Sequence, residues 1–178
     1  MITSPNNNLE KGFTIVEVLV TSLIFSIIAM SVSAIFVQLV GLQRRALATQ
    51  KIQDNTLFVL EMMSRDIRVS KVANQDSPNC DRTTITLTHP SKGTLVYRVT
   101  NGSVEKSENG GGYFAISTPN VSFSRMNFCV KGSLTNDNQT PRVAILTTVE
   151  NRTGREIIQI NLQTSVSSRD VLDEFSYP

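Results

Sequence analysis

The sequence predicts an α+β protein: one long N-terminal α-helix, apolar in its first half and amphipathic in its second, packed on a C-terminal antiparallel β-sheet head. Three observations predict it. Phe13–Gln43 holds 31 residues with a single formal charge, Glu17, and no Lys, Arg, His or Pro. The next thirty residues carry an apolar stripe at three- and four-residue spacing with neither Pro nor Gly. From Asn74 onward, short alternating runs are separated by turn residues. The implied division is 1–12 as a polar leader, 13–42 as a membrane-spanning helix, 43–74 as its amphipathic extension and 75–178 as the head.

The composition narrows the function classes. The chain has 178 residues, with 17 Lys and Arg against 15 Asp and Glu, a net charge of +2. Near-balanced charge, with basic residues scattered rather than striped, gives no indication of nucleic-acid binding. A single His, His89, excludes His-pair metal sites. His89 precedes Pro90 and has no carboxylate nearby in sequence, so it reads as a turn residue rather than a base. Asn109–Gly112 leads into a strand and not a helix, so it is no phosphate loop. No catalytic set, metal site or cofactor site is expected.

The apolar run is long enough to cross a bilayer, which needs about 20 such residues as a helix. It is about twice the length of a secretory h-region, and its pattern continues past the small residues Ala29–Ala34 that could mimic a cleavage site. Glu17, five residues into the run, demands a reason, because a carboxylate in hydrocarbon is expensive. A headgroup-level position would be one. The residues before it offer another. Cutting the chain between Gly12 and Phe13 would create an α-amino group four residues from Glu17, about 6 Å along a helix. In a packed array that amine could neutralise Glu17 of a neighbour and set the axial register.

The block Gly12-Phe13-Thr14-Ile15-Val16-Glu17-Val18-Leu19-Val20 resembles the processing site of type IV pilins and pseudopilins. The resemblance implies a pilin-like fold and a cut after Gly12 by prepilin peptidase. It also implies N-methylation of Phe13 and an assembly role for Glu17. The implied partners are other pilins or pseudopilins, the peptidase, an assembly platform protein with its ATPase, and membrane lipid before assembly. The implied location is a single-pass membrane protein, N-terminus cytoplasmic and head extracytoplasmic, that passes into a periplasmic or extracellular fibre. Such fibres serve secretion, twitching, adhesion or DNA uptake. Ser64-Arg65-Asp66-Ile67-Arg68 also resembles the helix end of minor pilins and J-type minor pseudopilins, which favours a minor structural subunit over a major one. The rival outside the class is a membrane-tethered extracellular binding domain with no fibre role. One feature opposes the implied orientation: Lys11 precedes the run, whereas Arg44, Arg45 and Lys51 follow it, the reverse of the positive-inside pattern.

A continuous helix is expected from Phe13 to about Ala73, some 90 Å at 1.5 Å per residue, with Gly41 as a permitted weak point. Ile52, Thr56, Val59, Leu60, Met63 and Ile67 form the stripe, and Glu61 and Arg65 an i,i+4 pair off it. Strands are expected at Thr83–His89, Thr94–Thr100, Ser103–Lys106, Tyr113–Ser117, Val121–Val130, Arg142–Val149 and Glu156–Val166, merging into five or six. Asn101-Gly102 reads as a type I′ hairpin turn. A slip of apolar phase between Phe123 and Met126 suggests a bulge or two strands. Cys80 and Cys129 permit one disulfide, which would close a loop of about 50 residues and add about 3–4 kcal/mol; the alternative is two thiols, Cys129 buried and Cys80 exposed. The bridge is favoured for an exported head. Asp170, Asp173 and Glu174 make the tail acidic and solvated.

Overall fold

The computed structural model describes residues 12–134, 137, 139–152 and 157–169. The leader up to Lys11, Glu156 and the acidic tail therefore lie outside the described residues. One helix, α1 (Ile15–Val69), is followed by seven strands: β1 (Thr84–His89), β2 (Gly93–Thr100), β3 (Ser103–Glu108), β4 (Phe114–Ala115), β5 (Val121–Lys131), β6 (Arg142–Asn151) and β7 (Gln159–Ser167). The chain divides into two compact units between Arg44 and Arg45.

In the first unit, α1 is apolar all round and exposed. Its hydroxyl groups explain how so many Ser and Thr residues tolerate that setting. Thr21 donates to the Glu17 carbonyl at 2.8 Å, Ser22 to Leu19 at 2.9 Å and Ser26 to Ser22 at 2.8 Å. Ser31 donates to Ile27 at 2.9 Å and Ser33 to Ala29 at 2.8 Å. Each donor is satisfied on its own helix, as a lipid environment requires. This stretch is long and apolar enough to cross a membrane.

In the second unit, α1 from Arg45 to Val69 lies on the sheets through one stripe. Ile52, Thr56, Val59, Leu60, Met63 and Ile67 are buried, as the spacing predicts, and so is Asp66. The Thr56 hydroxyl donates to the Ile52 carbonyl at 2.7 Å, so it enters the core without an orphaned group. Glu61 and Arg65 pair at 3.0 Å on the solvent side.

The strands form two antiparallel sheets, ordered β1-β2-β3-β4 and β5-β6-β7. Among the described residues there are seven strands rather than five or six, because β4 survives as a two-residue pairing with β3 and β5 stays whole. β5 absorbs its phase slip in a bulge: Phe123 faces Val149, Arg125 faces Thr148, and Ser124 is the extra residue. Val121 and Phe123 before the bulge and Met126, Phe128 and Val130 after it thus all point inward. Asn101 and Gly102 have φ of 51° and 73°, the left-handed pair that a type I′ turn needs. A side chain at Gly102 would stand 2.4 Å from the Ser122 hydroxyl and would be strained at φ 73°, so glycine lets this turn sit against β5 with no shift of its neighbours. There the Phe123 N–H donates to the Gly102 carbonyl at 2.9 Å, joining the two sheets.

The helix ends four residues before the expected Ala73, for a reason remote in sequence. Lys71 pairs with Thr88 of β1 through two backbone hydrogen bonds of 2.9 Å, so the backbone leaves the helix to join a strand. A carbonyl of the last helical turn and one just past the helix are met by the segment after β7. The Arg169 N–H donates to the Arg68 carbonyl at 2.9 Å, and the Ser168 hydroxyl to the Ser70 carbonyl at 2.7 Å.

Candidate functional site

The N-terminal end of α1 is built by Thr14. Its hydroxyl accepts the Glu17 N–H at 3.2 Å, and its carbonyl accepts the Val18 N–H at 3.2 Å. Thr14 is therefore the helix cap, and Glu17 stands at the third helical position, where a carboxylate offsets the unpaired N–H groups of the first turn. The helix thus starts two residues later than Phe13, and the 6 Å spacing expected from a helix begun at Phe13 does not describe the uncut chain. Gly12 and Phe13 lie outside the helix. Gly12 has open space around its Cα, and Phe13 is 80% exposed. A peptide bond in that setting is reachable by a protease, which must bind its substrate extended.

Cys80 and Cys129 are joined in a disulfide that ties the connector after α1 to β5. The Asn127 amide donates to the Cys80 carbonyl at 2.7 Å beside it. His89 ends β1, and its Nδ1 accepts the N–H groups of Ser91 and Lys92, each at 3.2 Å. That nitrogen closes the turn into β2. Among the described residues no three His, Cys, Asp or Glu side chains stand close enough to hold a metal ion.

A buried ionic cluster between α1 and the first sheet escapes reading from the sequence. The Asp66 carboxylate accepts the Tyr97 hydroxyl at 2.5 Å and pairs with Lys106 at 2.9 Å and Lys92 at 3.1 Å. Lys106 also pairs with Glu108 at 2.7 Å. Burial pushes the Asp66 carboxyl up, but the hydrogen bonds from Tyr97, Lys106 and Lys92 outweigh it and hold it below its ordinary value. Burial likewise pulls Lys106 down, while Glu108 and Asp66 outweigh it and raise it. Tyr97 is raised far above its ordinary value, by burial first and then by Asp66. Asp66 could have been found: it lies three residues after Met63 and seven after Val59, on the stripe. Its partners at 97 and 106 could not, because only the β2–β3 register, which sets Tyr97 opposite Lys106, brings them together. The arrangement neutralises a buried carboxylate and ties α1 to β2 and β3, so it is a structural lock.

Fold and helix start together define a class: a strand-rich head on a long helix whose exposed, apolar N-terminal part fits a membrane-anchored protein. Residues 7–35 match the family model described as the prokaryotic N-terminal methylation motif, and the chain carries this type IV prepilin signature at the start of α1. Proteins with this motif are structural subunits; the motif implies processing by prepilin peptidase and assembly with other pilins. Comparison with curated proteins gives no match, and neither does comparison with solved structures.

Proposed function

We propose that this protein is a minor structural subunit of a type IV pilus or type II secretion pseudopilus, without enzymatic activity. Prepilin peptidase cuts between Gly12 and Phe13, removing leader 1–12, and Phe13 is methylated. Residues 13–42 then hold the subunit in the membrane until an assembly platform and its ATPase draw them into a fibre. The observation that carries the reading is the methylation motif at 7–35 lying across an exposed, capped helix start. In the fibre the Phe13 amine of one subunit neutralises Glu17 of another, and burial in lipid is exchanged for packing between helices. Ser22, Ser26, Ser31, Ser33 and Ala34 allow close approach there, with their hydroxyls already bonded. Residues 43–74 link this helix to head 75–178. The Ser64–Arg68 segment supports a minor rather than a major subunit.

The head faces away from the cytoplasm. The Cys80–Cys129 disulfide supports this, since such bonds persist in oxidising compartments, and it weighs against the charge pattern of Lys11, Arg44, Arg45 and Lys51. The intact mass of the mature protein tests the processing: loss of residues 1–12 with one added methyl group is expected. A mature chain retaining Met1 would leave a tethered ectodomain instead. Glu17→Ala is expected to insert in the membrane yet fail to enter fibres; normal incorporation would remove the assembly role.

A further inference from the structure

Arg44 and Arg45 follow the apolar run on the side where the positive-inside pattern disfavours them. The distance back to Glu17 gives them a role. Val18–Gln43 holds no charge. α1 runs unbroken through this stretch, Gly41 included, from the Thr14 cap onward. From Glu17 to Arg44 the helix rises about 40 Å at 1.5 Å per residue. The hydrocarbon of a bilayer is about 30 Å thick, and about 40–45 Å with its headgroups. Centred in the bilayer, the helix therefore puts both charges about 5 Å beyond the hydrocarbon at once, each at headgroup level. Sliding toward the leader would draw Arg44 into hydrocarbon, and sliding the other way would draw in Glu17. Either move strips a charge of its hydration, so the two charges act as opposed stops.

We propose that Arg44, with Arg45 next to it, binds lipid phosphate on the membrane face away from the leader and so fixes the depth of α1. Both residues are exposed. At headgroup level the abundant anion is lipid phosphate, which a guanidinium binds through paired N–H donors. The consequence lies at the other end of the span. The Gly12–Phe13 bond precedes the helix and stands four residues before Glu17, so a fixed depth holds it just past the opposite headgroups, where prepilin peptidase meets it at one level. The charge pattern that opposes the orientation thus becomes a depth stop within it. The proposal rests on the reading that residues 13–42 span the membrane with the head outside, but the phosphate contact itself does not depend on cleavage.

Two readouts on the full-length protein test it. In dioleoylphosphatidylglycerol vesicles, with 13C at the guanidinium carbon of arginine, solid-state NMR is expected to show dephasing of the arginine signal by lipid 31P. That dephasing is expected to vanish in the double variant Arg44→Leu with Arg45→Leu. In cells, leader removal followed by pulse–chase is expected to be at least tenfold slower in the same variant. Its apolar run extends to Ala48, broken only by Gln43, so α1 can sink toward the cytoplasm. Arg44→Lys with Arg45→Lys keeps the charge and is expected to stay within about twofold of the wild type. An inverted helix could not explain slower processing, because removing positive charge from the head side favours the proposed orientation. No 31P contact, contact unchanged in the Leu variant, wild-type processing in the Leu variant, or a Lys variant as slow as the Leu variant would each overturn the proposal. A wild type that is never cut would instead break the processing reading, and the 31P contact would then decide the anchor by itself.

Discussion

The two parts of α1 are one continuous helix written for two solvents. Between Ile15 and Leu39 the large apolar residues point in every direction and are about half or more exposed, as with Ile27 at 58% and Phe36 at 65%. Between Ile52 and Ile67 a single stripe, Ile52, Val59, Leu60, Met63 and Ile67, is buried against the head, while Leu57 and Phe58 on the other side stay exposed. The polar residues differ in the same way. In the first part hydroxyls bond back to their own helix, a solution that needs no partner. In the second, Asp66 reaches across to Tyr97, Lys106 and Lys92, a solution that needs a folded sheet. The first part thus leaves its apolar surface uncommitted, as the proposed exchange of lipid for other helices would need, whereas the second is committed to its own chain.

Breaking the cross-helix ion cluster tests that commitment most severely. Asp66→Ala leaves Lys106, only 5% exposed, without its buried counter-ion and with only Glu108, itself 42% exposed, to balance it. Removing one partner of a buried pair costs about 3–5 kcal/mol. Urea unfolding of the detergent-solubilised protein, followed by near-UV circular dichroism, is expected to show that loss in the head. A loss below about 1 kcal/mol, the scale of an exposed pair, would mean that the cluster is hydrated and holds little.

A matched pair of truncations sharpens the contrast between the two solvents. Met63→Ala empties part of the core and is expected to destabilise the head by about 2–5 kcal/mol. Ile27→Ala removes a similar side chain from an exposed site and is expected to leave head unfolding unchanged. Equal effects would mean that the first part of α1 contributes to the head's core.

How far the fold was legible follows the same division. The apolar run, the stripe from Ile52 to Ile67, the Asn101-Gly102 turn and the phase slip in β5 are all local patterns, readable because each depends on neighbours within a few residues. The helix end was misplaced because Lys71 answers to Thr88, and the carbonyls before it answer to Ser168 and Arg169. The split into two sheets was hidden for a similar reason: it depends on which long-range edges β1 and β5 find already occupied. At the helix start, the methylation motif was legible because it is a linear signal. The cap at Thr14 was not anticipated, although Thr-x-x-Glu ahead of an apolar run is its known pattern.

The cluster also sets a pH range for the head. The lowered Asp66 contributes stability that is present above the ordinary Asp value of about 3.9 and lost as pH falls through its lower folded value. Asp76 acts in the same direction: burial raises it, but the Ser133 hydroxyl at 2.6 Å and the Ser133 N–H at 2.7 Å outweigh burial. The raised Lys106 and Tyr97 contribute stability present below their ordinary values, about 10.4 and 10, and lost as pH rises toward their folded values. Head stability is therefore expected to be flat between about pH 5 and 9 and to fall on both sides. In Asp66→Ala the acid-side fall should shrink. An unchanged acid limb in that variant would assign it to other carboxylates.

The smallest effect lies on the outer side of the same helix. Glu61 and Arg65 pair at 3.0 Å, but their side chains are 73% and 75% exposed. Water screens them, and an exposed i,i+4 pair is worth about 0.3–0.5 kcal/mol. Glu61→Ala should therefore lower head stability by no more than about 0.5 kcal/mol, and salt should erase most of the difference. Asp66 lies five residues further along, turned inward, and its loss should resist salt because two of its partners, Tyr97 and Lys106, are buried. If high salt reduced the Asp66→Ala penalty as much as the Glu61→Ala penalty, solvent would have to reach both faces of the helix, and the contrast between an outer pair and an inner lock would fail.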